Sequence, residues 1–208
     1  YCDFNSHVRS NVEQETWRRE FLTEIDGAAA KLGPRNVTSI FFGGGTPSLM
    51  PPSTVGALLD RIAAHWTIDT EIEINLEANP SSVDVGNFKG FAVAGVNRLS
   101  LGVQALNDQD LRRLGRNHNV QEALSALELA CHTFDACNFD LIYARPGQDL
   151  KSWQSELKTV LDMAPKHLSL YQLTIESGTA FKGTVQAAHA ELGADLYLVT
   201  QELCVDAG

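Results

Sequence analysis

The stretch Gly43-Gly44-Gly45-Thr46-Pro47 is where residue types in this chain first demand a chemical reason. Three glycines let the backbone approach another group closely and leave its N–H and C=O groups exposed to bond it. Each such bond to a charged group is worth about 1.5–3 kcal/mol. The Gly-Lys-Ser/Thr of a phosphate-cradling loop is absent and the spacing of a dinucleotide fingerprint is not met. Taken alone, the motif also fits a bare turn ahead of a helix starting near Ser53. Glu77, in Glu77-Ala78-Asn79-Pro80, and Asp140 each end an inward-facing polar set, and either one alone also reads as a satisfied structural carboxylate. Gln104 closes the run RLSLGVQ, while Arg116, in LGRNHN after a short helix, is by default a solvated surface arginine. Cys2 sits among Tyr1, Asp3, Phe4, Asn5 and Ser6, where no apolar period explains it; His7 invites a Cys/His nucleophile that nothing else supports. The six histidines offer no i,i+4 metal pair and no Ser/His/Asp order stands out, so hydrolytic chemistry drops out.

These residues need a scaffold, and the apolar periodicity describes one. Strand-like runs fall at residues 37–42, 71–76, 97–103, 138–143 and 167–172, each followed by a loop and usually by a helix-like stretch. Helices are expected in VGALLDRIAAHW and EALSALELACHTF, with starts at Pro51-Pro52-Ser53-Thr54 and Asn107-Asp108. Residues 12–32 read the same way, with Trp17, Phe21 and Ile25 one turn apart. Such alternation predicts a parallel α/β sheet. In EIEINLE, Ile72, Ile74 and Leu76 share one face against Glu71, Glu73, Asn75 and Glu77; in NRLSLGVQ, Leu99, Leu101 and Val103 oppose Arg98, Ser100, Gly102 and Gln104. Doubly wound sheets have strands that are apolar on both faces. One apolar face only predicts a (β/α) barrel or half-barrel with a polar lumen that holds a polar ligand. A closed barrel with a hydrogen-bonded polar core, or an α+β sheet with one wet face, fits the same pattern. In a barrel the rim at the strand carboxyl ends would gather GGGTP, Glu77, Gln104, Asp140 and, after the fifth strand, Tyr171-Gln172 with Thr174 and Glu176.

Composition narrows the classes. The 208 residues, 44% hydrophobic, suffice for a substantial core and suit one domain or a large piece of one. A net charge of -10 disfavours nucleic acid, whose phosphates need clustered Lys and Arg. The apolar runs fall short of the ~20 residues of a membrane span. Four cysteines are too few for a disulfide framework, so Cys131, Cys137 and Cys204 read as small buried hydrophobes in a reducing cytoplasm. With methionines only at Met50 and Met163, Tyr1 is not expected to be a natural start.

Taken together, YCDFNSH, FFGGGTPSLM, NLEANP, RLSLGVQ, LGRNH, DLIYARPGQ and LSLYQLTIESGTAF resemble, in this order, the radical S-adenosylmethionine superfamily. The resemblance is to the oxygen-independent coproporphyrinogen III oxidase-like branch that includes the HemW haem chaperones, and it covers almost the whole chain. It implies a truncated (β/α)6-type core over residues 1–208, with the first strand and two cysteines of a C-x-x-x-C-x-x-C loop ahead of Tyr1 and a further domain after Gly208. By the same resemblance Cys2 is the third thiolate of a 4Fe-4S cluster. Tyr1, Gly44, Gly45, Thr46, Glu77, Gln104, Arg116 and Asp140 would lie against S-adenosylmethionine, whose cleavage by the reduced cluster yields a 5'-deoxyadenosyl radical. With one thiolate of three, this chain by itself is not expected to assemble a stable cluster.

Two departures bear on function. The oxidases proper carry a further cysteine two residues after the third ligand, where this chain has Phe4, which favours the chaperones. Ala144-Arg145 stands where the family usually has Gly-Leu, placing an extra charge near the rim, either as a tolerated variant or with altered cofactor packing. The resemblance thus implies haem trafficking, with radical decarboxylation of coproporphyrinogen III propionates as the alternative. No catalytic residue is singled out, and the electron donor and haem acceptor cannot be named from these residues.

Overall fold

The computed structural model describes residues 1–2 and 12–208; Asp3, Phe4, Asn5, Ser6 and His7 lie outside the described residues. In chain order the elements are α1 (Gln14–Leu32), β1 (Asn36–Phe42), a 3-10 turn (Pro47–Leu49), α2 (Pro52–His65), β2 (Thr67–Ala78), α3 (Ser82–Ala94), β3 (Arg98–Gln104), α4 (Asp108–Arg113), α5 (Val120–Thr133), β4 (Ala136–Tyr143), α6 (Leu150–Leu161), β5 (Leu168–Gln172) and α7 (Ala190–Asp206). All five expected strands are present, hydrogen-bonded in the order β1-β2-β3-β4-β5. The pairs β1/β2, β2/β3 and β4/β5 are parallel. Parallel neighbours in sequence order require a helix-containing crossover between strands, which is what the strand-loop-helix repeat provides.

The residues gather into two compact units, with β3 contributing to both. The α2/α3 unit holds residues 12–101 together with Ser125–Cys137. Its core is built by the apolar strand faces, Ile74 and Leu76 on β2 and Leu99 and Leu101 on β3, with Val55 and Leu58 of α2 and Phe88 and Phe91 of α3. The Phe88 ring meets Phe134 edge-on at 5.9 Å. Gly90 lets α3 approach α2, since a Cβ there would fall 2.7 Å from Cγ of Pro52. Asn97 ties the turn before β3 to β2 as a strand would, its Oδ1 accepting from Ile74 N at 2.8 Å and its Nδ2 donating to Ile72 O at 2.7 Å.

Two expectations change in this unit. The period that predicted α1 is real, yet α1 buries no residue: Trp17 and Phe21 are exposed and pack on each other at 5.9 Å. Asp26 of α1 instead receives Arg61 and His65 of α2 at 2.6 and 2.7 Å, and those bonds, that of His65 foremost, hold its carboxyl below the usual range. Cys131 and Cys137 are not the free buried thiols expected from their number. They form a disulfide, because the last turn of α5 and the start of β4 bring their Cα atoms to 5.5 Å, within the range a disulfide spans.

The α6/α7 unit comprises Tyr1 and Cys2 with Gly102–Leu124 and Asn138–Gly208. Helix α6 starts in a capping box, Asp149 accepting from Ser152 N while Ser152 Oγ accepts from Asp149 N. It buries Trp153, Leu157 and Val160, alongside Leu141 of β4 and Leu196 of α7. Cys204, half-buried on α7, keeps the expected hydrophobic role, and burial pushes its thiol pKa up.

Candidate functional site

In the α2/α3 unit, strand register positions the glycine loop. Phe42 pairs with Leu76, so the chain leaving β1 meets the residue that follows Leu76 on β2. That residue is Glu77, and Gly44 N donates to its Oε2 at 3.3 Å. Gly44 has φ +119, a conformation open to glycine at little cost, and the loop stays exposed. Thr46 Oγ1 donates to Gly45 O at 2.7 Å and leads into the 3-10 turn. The structure therefore brings Gly44 and Glu77 together, with Gly45 and Thr46 alongside. Two unmet groups lie close by in sequence: the buried Oδ1 of Asn75, on the polar face it shares with Glu77, and the buried Oγ of Ser48, neither with a hydrogen-bond partner. Buried polar atoms are ordinarily paired.

A second group forms in the α6/α7 unit. Arg116 is half-buried rather than a solvated surface residue, because its Nη2 donates to Gly102 O of β3 at 3.1 Å. Tyr1 lies against the same arginine. Burial raises the Tyr1 phenol pKa, Arg116 opposes that through its charge and a hydrogen bond, and Cys2 and Asp140 reinforce the rise. Those influences place Cys2, Arg116 and Asp140 within electrostatic reach of Tyr1. Cys2 is a free, exposed thiol. Among the described residues no group of three or more His, Cys, Asp or Glu could hold a metal ion. Gln104 ends β3, buried, at φ +77. A non-glycine residue held at positive φ stores about 1–3 kcal/mol of strain, and such residues concentrate at ligand sites.

Sequence reasoning missed one contributor, His118, and the partners of a second, Arg145. His118 is buried, and its Nε2 donates to Val103 O at 3.0 Å, pinning the chain after Arg116 to β3. Burial foremost holds the imidazole pKa below the ordinary 6.5. Between that depressed value and 6.5 the unfolded chain binds the proton that the folded one refuses, so stability falls as pH drops below about 6.5. Urea unfolding at pH 5 and pH 7.5 should show this loss, and a His118→Gln variant, still able to donate to Val103 O, should show less of it.

Arg145 is the other contributor, and its placement corrects an expectation. It is no rim charge. At 3% exposure it donates Nε to Asp110 Oδ2 at 3.1 Å, Nη1 to Ile142 O at 2.6 Å and Nη2 to Glu156 Oε2. Glu156 Oε1 in turn accepts from Leu106 N at 2.7 Å, so the network clamps the loop leaving Gln104. Asp110 and Glu156, acidic positions on inward helix faces, were the available signal. Ala144 before it sits at φ +59, a conformation that glycine adopts at lower cost than alanine.

The model of the radical SAM superfamily matches residues 1–160. This chain belongs to the radical SAM superfamily. Its similarity extends to radical S-adenosyl methionine domain-containing protein 1, mitochondrial, of Mus musculus, at 39% identity over all of this chain and 48% of that protein. It is also 40% identical to the heme chaperone HemW of Escherichia coli K12, over 87% of this chain and 48% of HemW. The chain thus spans about half the length of these relatives. Among solved structures, coproporphyrinogen III oxidase HemN of Escherichia coli superposes with TM-score 0.86 at 23% identity, over 100% of this chain and 49% of HemN. That likeness shows the fold: a partial radical SAM barrel. The superfamily's cofactors are a 4Fe-4S cluster and S-adenosylmethionine, and no helix among the described residues is long and apolar enough to cross a membrane.

Proposed function

We propose that this chain is the cofactor-binding core of a haem-trafficking protein, in which the cluster and S-adenosylmethionine support delivery of haem to an acceptor. The family match carries the reading, and the identity to a protein named as a haem chaperone supports it. In this proposal Cys2 provides one cluster thiolate. When bound, the cluster supplies the electron that cleaves the sulfonium of S-adenosylmethionine.

The chain's own residues bind and orient. Gly44 and Gly45 offer backbone groups to the methionine end, with Thr46 beside them and Glu77 fixing the loop through Gly44 N. Arg116, held by Gly102 O, presents its positive charge to the cofactor carboxylate, with Tyr1 packed alongside. Asp140 and Gln104 supply acceptors, Gln104 from a backbone held in advance at positive φ. The proposed compartment is the cytoplasm, with a mitochondrial one as the alternative that the mouse relative's name supports.

Equilibrium dialysis with S-adenosylmethionine tests the binding half. Loss of a charged hydrogen-bond donor of about 1.5–3 kcal/mol should weaken binding by tenfold or more in Arg116→Leu. Equal affinity in the two proteins would remove Arg116 from the site. Haem titration tests the trafficking half: saturable binding supports it, whereas no binding together with turnover of coproporphyrinogen III would replace it with the oxidase.

A further inference from the structure

The bridge between Cys131 and Cys137 joins residues only 6 positions apart in sequence, with their Cα atoms 5.5 Å apart. A bridge across so short a loop adds less stability than one that closes a long loop, because it removes less entropy from the unfolded chain. Nor does the turn it spans depend on it. Phe134, between the two cysteines, is buried with its ring edge-on to Phe88 at 5.9 Å, and its N–H donates to Ala130 O at 2.9 Å. Ala136 N donates to Asn97 O at 3.1 Å, which ties the first residue of β4 to the residue ahead of β3. With both ends of the turn held in this way, the two sulfurs stay within reach of each other when the bond between them is open.

Exposure separates the two cysteines. Cys131 is exposed on α5, whereas Cys137 is half-buried at the start of β4. Small thiols and disulfides in solution therefore reach Cys131 first, and exposed disulfides are the labile, exchanging ones. This bridge can be reached, is not needed to hold its turn, and leaves its thiols side by side when opened. Those are the properties of a switch rather than of a staple.

We propose that Cys131 and Cys137 form a reversible redox-modification site that exchanges with glutathione and tightens the α5/β4 turn when closed. In closing, the Cys131 thiolate attacks one sulfur of oxidised glutathione, forming a mixed disulfide and releasing one glutathione. The Cys137 thiolate then attacks Cys131 Sγ; the mixed disulfide breaks, the bond between the two cysteines forms and the second glutathione leaves. The two cysteines lose two electrons and two protons, and one oxidised glutathione becomes two reduced ones. Excess reduced glutathione drives the same steps backwards, entering at Cys131. In a reducing compartment the pair is mostly open, and it closes as oxidised glutathione accumulates. The site lies at the head of β4, upstream of Asp140 on the same strand, and stands apart from the haem-trafficking reading.

The test incubates the chain in millimolar glutathione at a series of reduced-to-oxidised ratios and quenches it with an alkylating reagent. Peptide mass spectrometry then follows Cys131 and Cys137 apart from Cys2 and Cys204. The bridge should open in the reduced buffers without denaturant and re-form as the ratio falls. With oxidised glutathione, Cys137→Ser should accumulate a mixed disulfide at Cys131, and Cys131→Ser should be modified at Cys137 at least tenfold more slowly. Opening should lower the melting temperature by about 5–10 °C. The amides of Phe134 and Ala136 should exchange with deuterium several-fold faster in the open form. A bridge that survives reduced glutathione until the chain unfolds would be a permanent staple and would overturn the proposal. So would thiols that stay open in oxidised glutathione, faster modification at Cys137 than at Cys131, or equal exchange of the two amides in both states.

Discussion

Replacing Arg145 by leucine should destabilise the α6/α7 unit by about 3–5 kcal/mol. The guanidinium is 3% exposed and is the shared partner of two carboxylates that are themselves nearly enclosed, with Asp110 at 12% and Glu156 at 10% side-chain exposure. Removing the cation strands both anions in a medium that solvates them poorly, whereas leucine returns only apolar packing. Asp110 keeps Asn107 Nδ2 and the exposed Arg113, and Glu156 keeps Leu106 N and Gln148 Nε2, so the loss is large without being total. For a chain of this size the melting temperature should fall by about 6–20 °C. Adding Glu156→Gln to Arg145→Leu should recover about 1–2 kcal/mol, because the amide still accepts from Leu106 N but carries no charge. A single variant within 1 kcal/mol of the parent, by urea denaturation, would mean that the network is solvated and does not hold the loop after Gln104.

Trp153→Ala should cost a similar amount, about 3–5 kcal/mol, by a different route. The indole is fully buried, lies 5.5 Å from the ring of Tyr143 and donates Nε1 to Thr200 Oγ1 at 2.8 Å, so one side chain couples α6 to β4 and α7. Truncation leaves a large cavity that three packed elements cannot easily close. The hydrogen bond is the smaller part, because Thr200 Oγ1 still donates to Leu196 O at 2.6 Å when the indole is gone. Trp153→Phe separates the terms: it keeps most of the packing and should lose about 1–2 kcal/mol. Equal losses for Ala and Phe in calorimetric melting would instead assign the stability to the Nε1 bond.

Both effects bear on function through position. The Arg145 network fixes the segment just beyond Gln104, and Trp153 fixes the helix that carries Glu156.

The sequence by itself determined the elements, the alternation and the family. Period-2 runs with one apolar face became five parallel strands, because side chains alternate across a strand whatever its neighbours are. Polar caps such as Asn107 and Asp149 started helices, because their oxygens satisfy the first free N–H groups locally. GGGTP and Glu77 were legible as chemistry because glycine clusters and inward carboxylates need a reason within a few residues of themselves. Only the tertiary structure decided which of these meet. The Gly44–Glu77 bond depends on the parallel register of β1 and β2, and Arg116 leaves the surface for Gly102 O, a residue 14 positions back in sequence. Arg145 reads from sequence as a stray charge, and it becomes a buried clamp only because Asp110, 35 residues earlier, and Glu156, 11 later, converge on it. The pairing of Cys131 with Cys137 and the exposed Trp17 and Phe21 belong to the same class. Burial and ion pairing depend on what chain folding brings near, and a periodicity read along one segment carries no record of the segment packed against it.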